Sequence, residues 1–210
     1  YTEEVLSQRF DLMRQLFAAR ALPVQQLLNL FRLRSALLDG EALLDMVLPT
    51  RIARDFAEVS IPLRICATDF HAQECVVFTE GPLRRAIAAS MALPMLFAPV
   101  VHTGRTLMDG GLVNPLPFDV LSDVDITVAV DVSGAPRTPT ETEAPTAIEA
   151  LVAASQILQR AIVSEKLKSR QPDVYIDVAV ERFHVLEFHK YADILKAAEP
   201  AKALLKERLG

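Results

Sequence analysis

Apolar residues at the start of the chain recur at intervals of three and four positions, the spacing of one face of an α-helix. This face consists of Val5, Leu6, Phe10, Leu12, Met13, Leu16 and Phe17. A second run of the same kind occupies residues 24–38, between Pro23 and the helix-stopping pair Asp39-Gly40. The pattern predicts two amphipathic helices. We interpret them as packing on a protein core, with contact at a membrane surface as the alternative.

Five later segments are short and rich in branched and apolar residues, which is typical of strands. They lie near residues 61–67, 75–79, 105–108, 125–132 and 174–180. Helical patterns alternate with them at residues 41–48, 50–57, 82–93, 148–170 and 191–209. The segment 126–132 (ITVAVDV) lacks polar alternation, as expected of a strand buried on both faces. The order of the elements predicts an α/β fold with a mostly parallel sheet covered by helices.

One segment interrupts this alternation. Residues 134–146 (GAPRTPTETEAPT) combine proline, threonine and glutamate with almost no apolar content, which predicts a solvated, mobile loop. The whole chain has 210 residues, of which 51% are hydrophobic. That length and composition suit a single domain with a sizeable core and exclude a disordered protein.

Charge and hydropathy exclude two classes of function. The net charge of −5 has the wrong sign for a protein that binds the nucleic-acid backbone, so we expect no nucleic-acid partner. The longest apolar stretch, residues 88–101, has 14 residues and contains Ser90, Pro94 and Pro99. A membrane-spanning helix needs about 20 apolar residues. We expect a cytoplasmic protein, with a peripheral position at a membrane left open.

Metal and disulfide chemistry find no support in the sequence. Cys66 and Cys75 are the only cysteines, and each lies in an apolar strand-like run, so we interpret them as reduced core residues. The four histidines, at positions 71, 102, 184 and 189, occur singly and do not form a zinc-binding pattern. We therefore expect neither a metal site nor a cofactor.

Candidate chemistry begins at Asp109, which follows a short predicted strand and precedes Gly110 and Gly111. An acid at the end of a strand, followed by two residues without side chains, can be approached closely by another group. A purely structural interpretation is also open: Asp109 would cap a tight turn, and the glycines would supply positive φ angles. Asp69 follows the first strand in a similar way; turn formation is the role we expect for it, with a supporting polar role near the site as the alternative.

The surrounding motifs resemble those of the patatin-like phospholipase family. In chain order they are Ala89-Ser90-Met91-Ala92-Leu93-Pro94, Phe97-Ala98-Pro99-Val100, Asp109-Gly110-Gly111 and Asn114-Pro115-Leu116-Pro117. The segments IPLRICATDF and DITVAVDV, upstream and downstream of these motifs, are similar to the family as well. The resemblance is strong over residues 39–133 and diffuse elsewhere. Several motifs in the right order make it specific.

The resemblance implies a three-layer α/β/α fold and a serine lipid acyl hydrolase that acts on a lipid or acyl ester with a Ser-Asp dyad. Asp109 is the position onto which the role of the base carries over, with Gly110 and Gly111 forming the active-site turn. A serine hydroxyl needs such a base because it is a weak nucleophile at neutral pH. No metal or cofactor takes part in this reaction.

The family's nucleophile and its oxyanion loop have no counterpart in this chain. The nucleophile belongs to a Gly-x-Ser-x-Gly turn between a strand and a helix. None of the seven glycines here brackets a serine in that way. Ser90 is the one serine inside a motif, but it lies in an apolar helix end, where a hydroxyl usually bonds to a backbone carbonyl. We expect Ser90 to be structural.

The chain starts at Tyr1 within a helical pattern rather than at a methionine. We therefore expect residues 1–210 to be the C-terminal two-thirds of one patatin-like domain, with the nucleophile and the oxyanion loop N-terminal to Tyr1. The chain alone would then be inactive. The alternative is a non-catalytic patatin-like module that binds or regulates at lipid surfaces.

Overall fold

The computed structural model describes residues 38–49, 52–94, 96–122, 124–133, 147–180, 182–183 and 190–210. The chain divides into two compact units between Gly110 and Gly111. The helices predicted within residues 1–37 and the mobile loop predicted at residues 134–146 lie outside the described residues.

The first unit contains a four-stranded sheet and two helices. The strands are β1 (Ile65–Asp69), β2 (Glu74–Phe78), β3 (Val100–His102) and β4 (Arg105–Asp109). The helices are α1 (Gly40–Val47) and α2 (Leu83–Ser90). The strands lie in the order β2-β1-β4-β3, and every neighbouring pair is antiparallel. In the register between the two central strands, Asp109 of β4 lies opposite Ala67 of β1.

Tight turns explain two of the three antiparallel pairs of this sheet. Thr103 and Gly104 alone join β3 to β4, with φ angles of 46° and 78°, the left-handed pair that suits a two-residue hairpin. Residues 70–73 join β1 to β2 and end at Gln73, where φ is 58°. Both connections are too short for the crossover that parallel neighbours require. The mostly parallel sheet predicted from the sequence is therefore not confirmed in this unit.

The face of the sheet that carries Ala67 and Leu107 packs against α2. Both residues and Ala88 of α2 have no exposed surface, and they belong to one apolar cluster. Alanines on the helix and on the strand allow the two main chains to approach closely. This packing fixes the distance between α2 and the two central strands. It also places the end of α2 next to the end of β4.

The second unit is a β-α-β arrangement followed by a helix. Its elements are β5 (Val128–Asp131), α3 (Ala147–Ser169), β6 (Val174–Asp177) and α4 (Tyr191–Leu209). The two strands form a parallel pair, which the intervening α3 makes possible. Ala129 of β5 clusters with Val163 of α3, whereas Ile176 of β6 clusters with α4. Because neighbouring strand positions point to opposite faces, the two helices cover opposite faces of the pair.

The described elements form a mixed α/β protein, as predicted. Each of the five predicted strands overlaps an observed one, and β3 was not predicted. The helix predicted at residues 50–57 is wrong over its described part, where only a 3₁₀ turn forms at Phe56–Glu58. Two carboxylates explain the difference. Asp55 accepts from the Ala57 N–H, and Glu58 accepts from the Arg54 N–H, so side chains replace helical backbone bonds.

Candidate active site

Asp109 is the last residue of β4, and its main chain is held from two sides. Its N–H donates to the Ala92 carbonyl oxygen at 3.1 Å, beyond the end of α2. Its carbonyl oxygen accepts from Thr68 Oγ1 at 2.8 Å, on the neighbouring strand β1. Thr68 is buried and Asp109 is half-buried. A side chain on a main chain fixed in this way starts from a defined position, as a catalytic group requires.

Gly110 lies against the main chain of β1. A Cβ atom at this position would be 2.3 Å from the Cys66 carbonyl oxygen and 2.8 Å from the Cys66 carbonyl carbon. Contacts under 3.0 Å are not tolerated by real Cβ atoms. The φ angle of Gly110 lies outside the left-handed region. Close approach to β1, and not a positive φ or open space beside the acid, is therefore what requires a glycine here.

Gly111 begins the second unit and lies in the 3₁₀ turn Gly110–Leu112. Shortly after this turn, Asn114 is buried and makes polar contacts with Asp119 and with Lys166 of α3. The sequence alone indicates Asn114 only as part of a motif, and it does not indicate Lys166. The one local signal for Lys166 is its place three residues after the buried Val163, on the packed face of α3.

Asp69 forms the turn between β1 and β2, as predicted. Its Oδ1 atom accepts from the N–H groups of His71 and Ala72 at 2.9 and 3.1 Å. Its Oδ2 atom accepts from Arg105 Nη1 at 3.2 Å. Asp69 lies opposite Leu107 in the register of β1 on β4, two positions along from the pair that contains Asp109. Both acids end their strands, and because β1 and β4 are antiparallel, the two strands end in opposite directions.

The hydrogen bonds of Asp69 predict that acid destabilises the first unit. The backbone N–H of Ala72 lowers the pKa of the Asp69 carboxyl, burial opposes this, and the His71 N–H and Arg105 lower the pKa further. A carboxyl with a lowered pKa in the folded state stabilises the fold above its unfolded pKa of about 3.9. That stabilisation is lost as the pH falls below the unfolded pKa and then through the lower pKa of the folded protein.

We expect Asp69→Asn to reduce this acid sensitivity. The amide oxygen of asparagine still accepts from the turn, but it carries no charge to lose and no ion pair with Arg105. Urea unfolding at pH 6 and at pH 3 provides the measurement. The urea concentration at the midpoint of unfolding should fall more between pH 6 and pH 3 for the wild type than for Asp69→Asn. Equal drops would show that Asp69 is not a source of the acid sensitivity.

The other residues singled out in the sequence take structural positions. Ser90 is half-buried at the last position of α2 and not in a strand-to-helix turn. His71 is exposed in the turn after β1, and the ring of His102 in β3 contacts Phe78 with centroids 5.5 Å apart. Cys66 and Cys75 carry no disulfide bond; Cys66 is buried, as predicted for a core residue, whereas Cys75 is only half-buried. His184 and His189 lie outside the described residues.

A serine and an aspartate do meet at the end of β5. Ser133 Oγ donates to Asp131 Oδ1 at 2.5 Å, and the Tyr175 hydroxyl donates to Asp131 Oδ2 at 2.9 Å. Burial, followed by this bond to Asp131, raises the pKa of the Tyr175 phenol. The Ser133 N–H also donates to Asp131 Oδ1, at 2.9 Å. A serine that bonds twice to an acid two residues earlier is typical of a local turn. We assign this pair to the ending of β5.

Neither metal binding nor membrane spanning has a basis in the described part of the chain. There, no group of three or more His, Cys, Asp or Glu side chains could hold a metal ion. The helices among the same residues are too short or too polar to cross a bilayer.

Comparison with known proteins finds a match to one protein family. The model of the family described as Patatin-like phospholipase matches residues 3–122, which is more than half of the chain and includes Asp109, Gly110, Gly111 and Asn114. An uncharacterised NTE family protein of Mycobacterium tuberculosis is 40% identical over 101 residues, which are 47% of this chain and 27% of the relative. A Mycobacterium bovis protein of the same description matches equally well.

A mammalian protein is also similar over a shorter region. Patatin-like phospholipase domain-containing protein 7 of Rattus norvegicus is 34% identical over 89 residues, which are 40% of this chain and 7% of the relative. The chain thus spans about a quarter or less of the length of the curated relatives it matches.

Proposed function

Because the chain belongs to the patatin-like phospholipase family, we propose that it is part of a serine lipid acyl hydrolase in which Asp109 is the general base. Membership supports lipid hydrolysis as the general activity. The placement of Asp109 supports the finer assignment. Its main chain bonds to Ala92 and Thr68, and Gly110 packs on β1, so the acid is fixed at the end of a central strand.

In the proposed reaction, Asp109 accepts the proton of a serine hydroxyl as the serine oxygen attacks the carbonyl carbon of an acyl ester. The alcohol leaves with a proton returned by Asp109, and the acyl group stays on the serine. Water then attacks the acyl-serine and gives its proton to Asp109. The serine oxygen recovers that proton as the fatty acid leaves. One carboxylate thus acts first as base and then as acid in each half of the reaction.

The nucleophile of this reaction must come from outside the 210 residues. The chain contains no Gly-x-Ser-x-Gly turn, and its two serines in notable positions, Ser90 and Ser133, have structural surroundings. We propose that residues preceding Tyr1 in the protein supply the serine and the loop that stabilises the oxyanion. The lengths of the relatives support this, because the matched region is 27% of the mycobacterial protein.

The exposure of one side of β5 supports a neighbouring strand that the 210 residues do not supply. Within the described residues, β5 pairs with β6 alone. Val130 of β5 and Val132, just after its end, are 48% and 65% exposed, whereas Ile176 beside Val130 is 2% exposed under α4. Parallel strands are ordinarily covered on both faces. We propose that a further strand and helix of the same protein, including the strand that bears the nucleophile, complete the sheet beside β5.

Hydrolysis of a p-nitrophenyl acyl ester tests this proposal. The full-length protein should release p-nitrophenol with saturation kinetics, and the 210-residue chain at the same concentration should give no more than the buffer rate. Turnover by the 210-residue chain would contradict an external nucleophile. An inactive full-length protein whose upstream sequence lacks a Gly-x-Ser-x-Gly turn would instead support the non-catalytic lipid-binding module.

A further inference from the structure

A buried threonine side chain holds the carbonyl group of Asp109. Thr68 Oγ1, on strand β1, donates to the Asp109 carbonyl oxygen at 2.8 Å. Thr68 is only 6% exposed, although threonine is a residue that proteins mostly leave on the surface. Both residues belong to the first unit. A buried hydroxyl needs a hydrogen-bond partner, and Thr68 finds its partner at the residue that carries the candidate base.

The register of β1 on β4 explains why a side chain makes this bond. In an antiparallel pair, positions with main-chain hydrogen bonds alternate with positions without them. The Phe70 N–H donates to the Thr106 carbonyl oxygen at 2.8 Å, so these two residues form a hydrogen-bonded position. Three positions further along the register, Ala67 lies opposite Asp109. The alternation makes this a position without main-chain bonds between β1 and β4.

The strand on the other side of β4 has left the ladder at the same level. Strand β3 pairs with β4 over Val100–His102. The same register continued by two positions would bring Ala98 opposite Asp109. The Ala98 N–H instead donates to the Leu38 carbonyl oxygen at 2.9 Å. The Thr68 hydroxyl thus supplies a donor to the Asp109 carbonyl at a level where the regular ladders of the sheet do not.

Together with a second bond, the Thr68 bond holds both peptide groups that flank the Cα atom of Asp109. The Asp109 N–H donates to the Ala92 carbonyl oxygen at 3.1 Å on one side, and the Asp109 C=O accepts from Thr68 on the other. Because each peptide group is planar, these two bonds restrict φ and ψ of Asp109 and so the direction of its Cα–Cβ bond. Threonine suits this task, since its branched Cβ restricts the direction of the hydroxyl.

We propose that Thr68 is a positioning residue for Asp109. Its hydroxyl holds the Asp109 carbonyl group, and through it the carboxylate, in the orientation that accepts the serine proton. This inference rests on the proposed role of Asp109 as the base. Thr68 acts through the main chain of Asp109 and transfers no proton itself. Catalysis is sensitive to such restraint, because a misplacement of about 1 Å can cost about 100-fold in rate.

Steady-state kinetics of the full-length protein test the proposal with three variants. Thr68→Val keeps the shape of the side chain but removes the donor, so kcat per folded molecule should fall roughly 10- to 100-fold with little change in KM. Thr68→Ser keeps the hydroxyl and should retain most of the rate. Thr106→Val is the matched control and should behave as the wild type. Thr106 lies two positions from Met108, the residue opposite Thr68, and so on the same face of the sheet.

A double-mutant cycle separates positioning from a general loss of structure. A residue that acts through the Asp109 carboxylate has little left to affect once that carboxylate is gone. Thr68→Val should therefore lower the residual rate of Asp109→Asn by less than about 3-fold. Thermal unfolding of each preparation gives the folded fraction. Thr68→Ala, which places no methyl group against the carbonyl oxygen, is a second variant without the donor and should show the same pattern if Thr68→Val does not fold.

Two results would overturn the positioning role. One is a wild-type kcat per folded molecule in the variants without the hydroxyl. The other is an equal fold-loss of rate in the wild-type and Asp109→Asn backgrounds, which would make Thr68 a purely structural residue. A wild-type protein without esterase activity would instead reject the proposed function, so the two failures are distinguishable.

Discussion

Replacing Asp109 with asparagine is expected to lower the esterase kcat of the full-length protein by roughly 10² to 10⁴. Asparagine has nearly the same shape, and the hydrogen bonds of residue 109 to Ala92 and Thr68 involve only its main chain. The fold should therefore be kept, while the group that accepts the serine proton is lost. Rates of p-nitrophenyl ester hydrolysis and thermal unfolding curves of the same preparation measure the two effects.

Two further variants separate catalysis from turn formation. Asp69→Asn changes the other strand-ending acid of the same sheet, which bonds to turn amides and Arg105, and it should leave kcat at neutral pH unchanged. Asp109→Ala should lose as much activity as Asp109→Asn. If Asp109 only caps the turn, Asp109→Ala would instead lose about 1 kcal/mol of stability and keep its rate per folded molecule.

Replacing Gly110 with alanine is expected to cost about 3 kcal/mol or more of folding free energy. The new Cβ would be 2.3 Å from the Cys66 carbonyl oxygen, which belongs to the main chain of β1. A strand inside a sheet moves less easily than a flexible side chain, so the clash must displace either β1 or the turn. For a chain of this size the unfolding midpoint should fall by roughly 6 to 12 °C.

Gly40→Ala is the matched control for this variant. Gly40 is also buried, but a Cβ there would have its nearest neighbour, Ala88 Cβ, at 3.5 Å, an ordinary contact. It is the first residue of α1, where alanine is a better helix former than glycine. We expect Gly40→Ala to leave the midpoint unchanged or to raise it. Equal loss in both variants would mean that the approach to Cys66 is not specific to Gly110.

Local sequence pattern was enough to find five of the six described strands and the candidate base. The segment 125–132 predicted β5 because its Val and Ile residues have strand character on their own, and Asp109 stood out because two glycines follow it. The pattern could not say how the strands pair. Apolar alternation is the same in a parallel and an antiparallel strand, so the direction of β4 beside β1 depends on the connections between the strands.

One of these connections was readable in the sequence. Thr103-Gly104 is a two-residue turn with glycine at its second position, and it indicates a hairpin between residues 100–102 and 105–109. β3 was missed because residues 88–101 look like one continuous apolar stretch. The helix predicted at residues 50–57 failed for a different reason. There, the carboxylates of Asp55 and Glu58 bond to nearby N–H groups, and the helical spacing carries no information about such bonds.

The supports of the candidate site depend on contacts between distant residues, which no local pattern reveals. Gly110 is required because the main chain of Cys66 passes beside it, 44 positions earlier in the sequence. Within the second unit, Lys166 likewise contacts Asn114, 52 positions earlier in the sequence. A lysine on the packed face of a helix is a weak sign of a buried partner, but it does not identify that partner. The acid was therefore visible in the sequence, and the residues that hold it were not.

The central claim is that Asp109 serves a nucleophilic serine located outside these 210 residues. Labelling of the full-length protein with a fluorophosphonate probe, followed by mass spectrometry of its peptides, tests this claim most directly. We expect a single labelled serine upstream of Tyr1, and we expect labelling to be much slower in Asp109→Asn. Labelling of Ser90, Ser133 or any other serine within the 210 residues, at a rate that Asp109→Asn does not change, would contradict the claim.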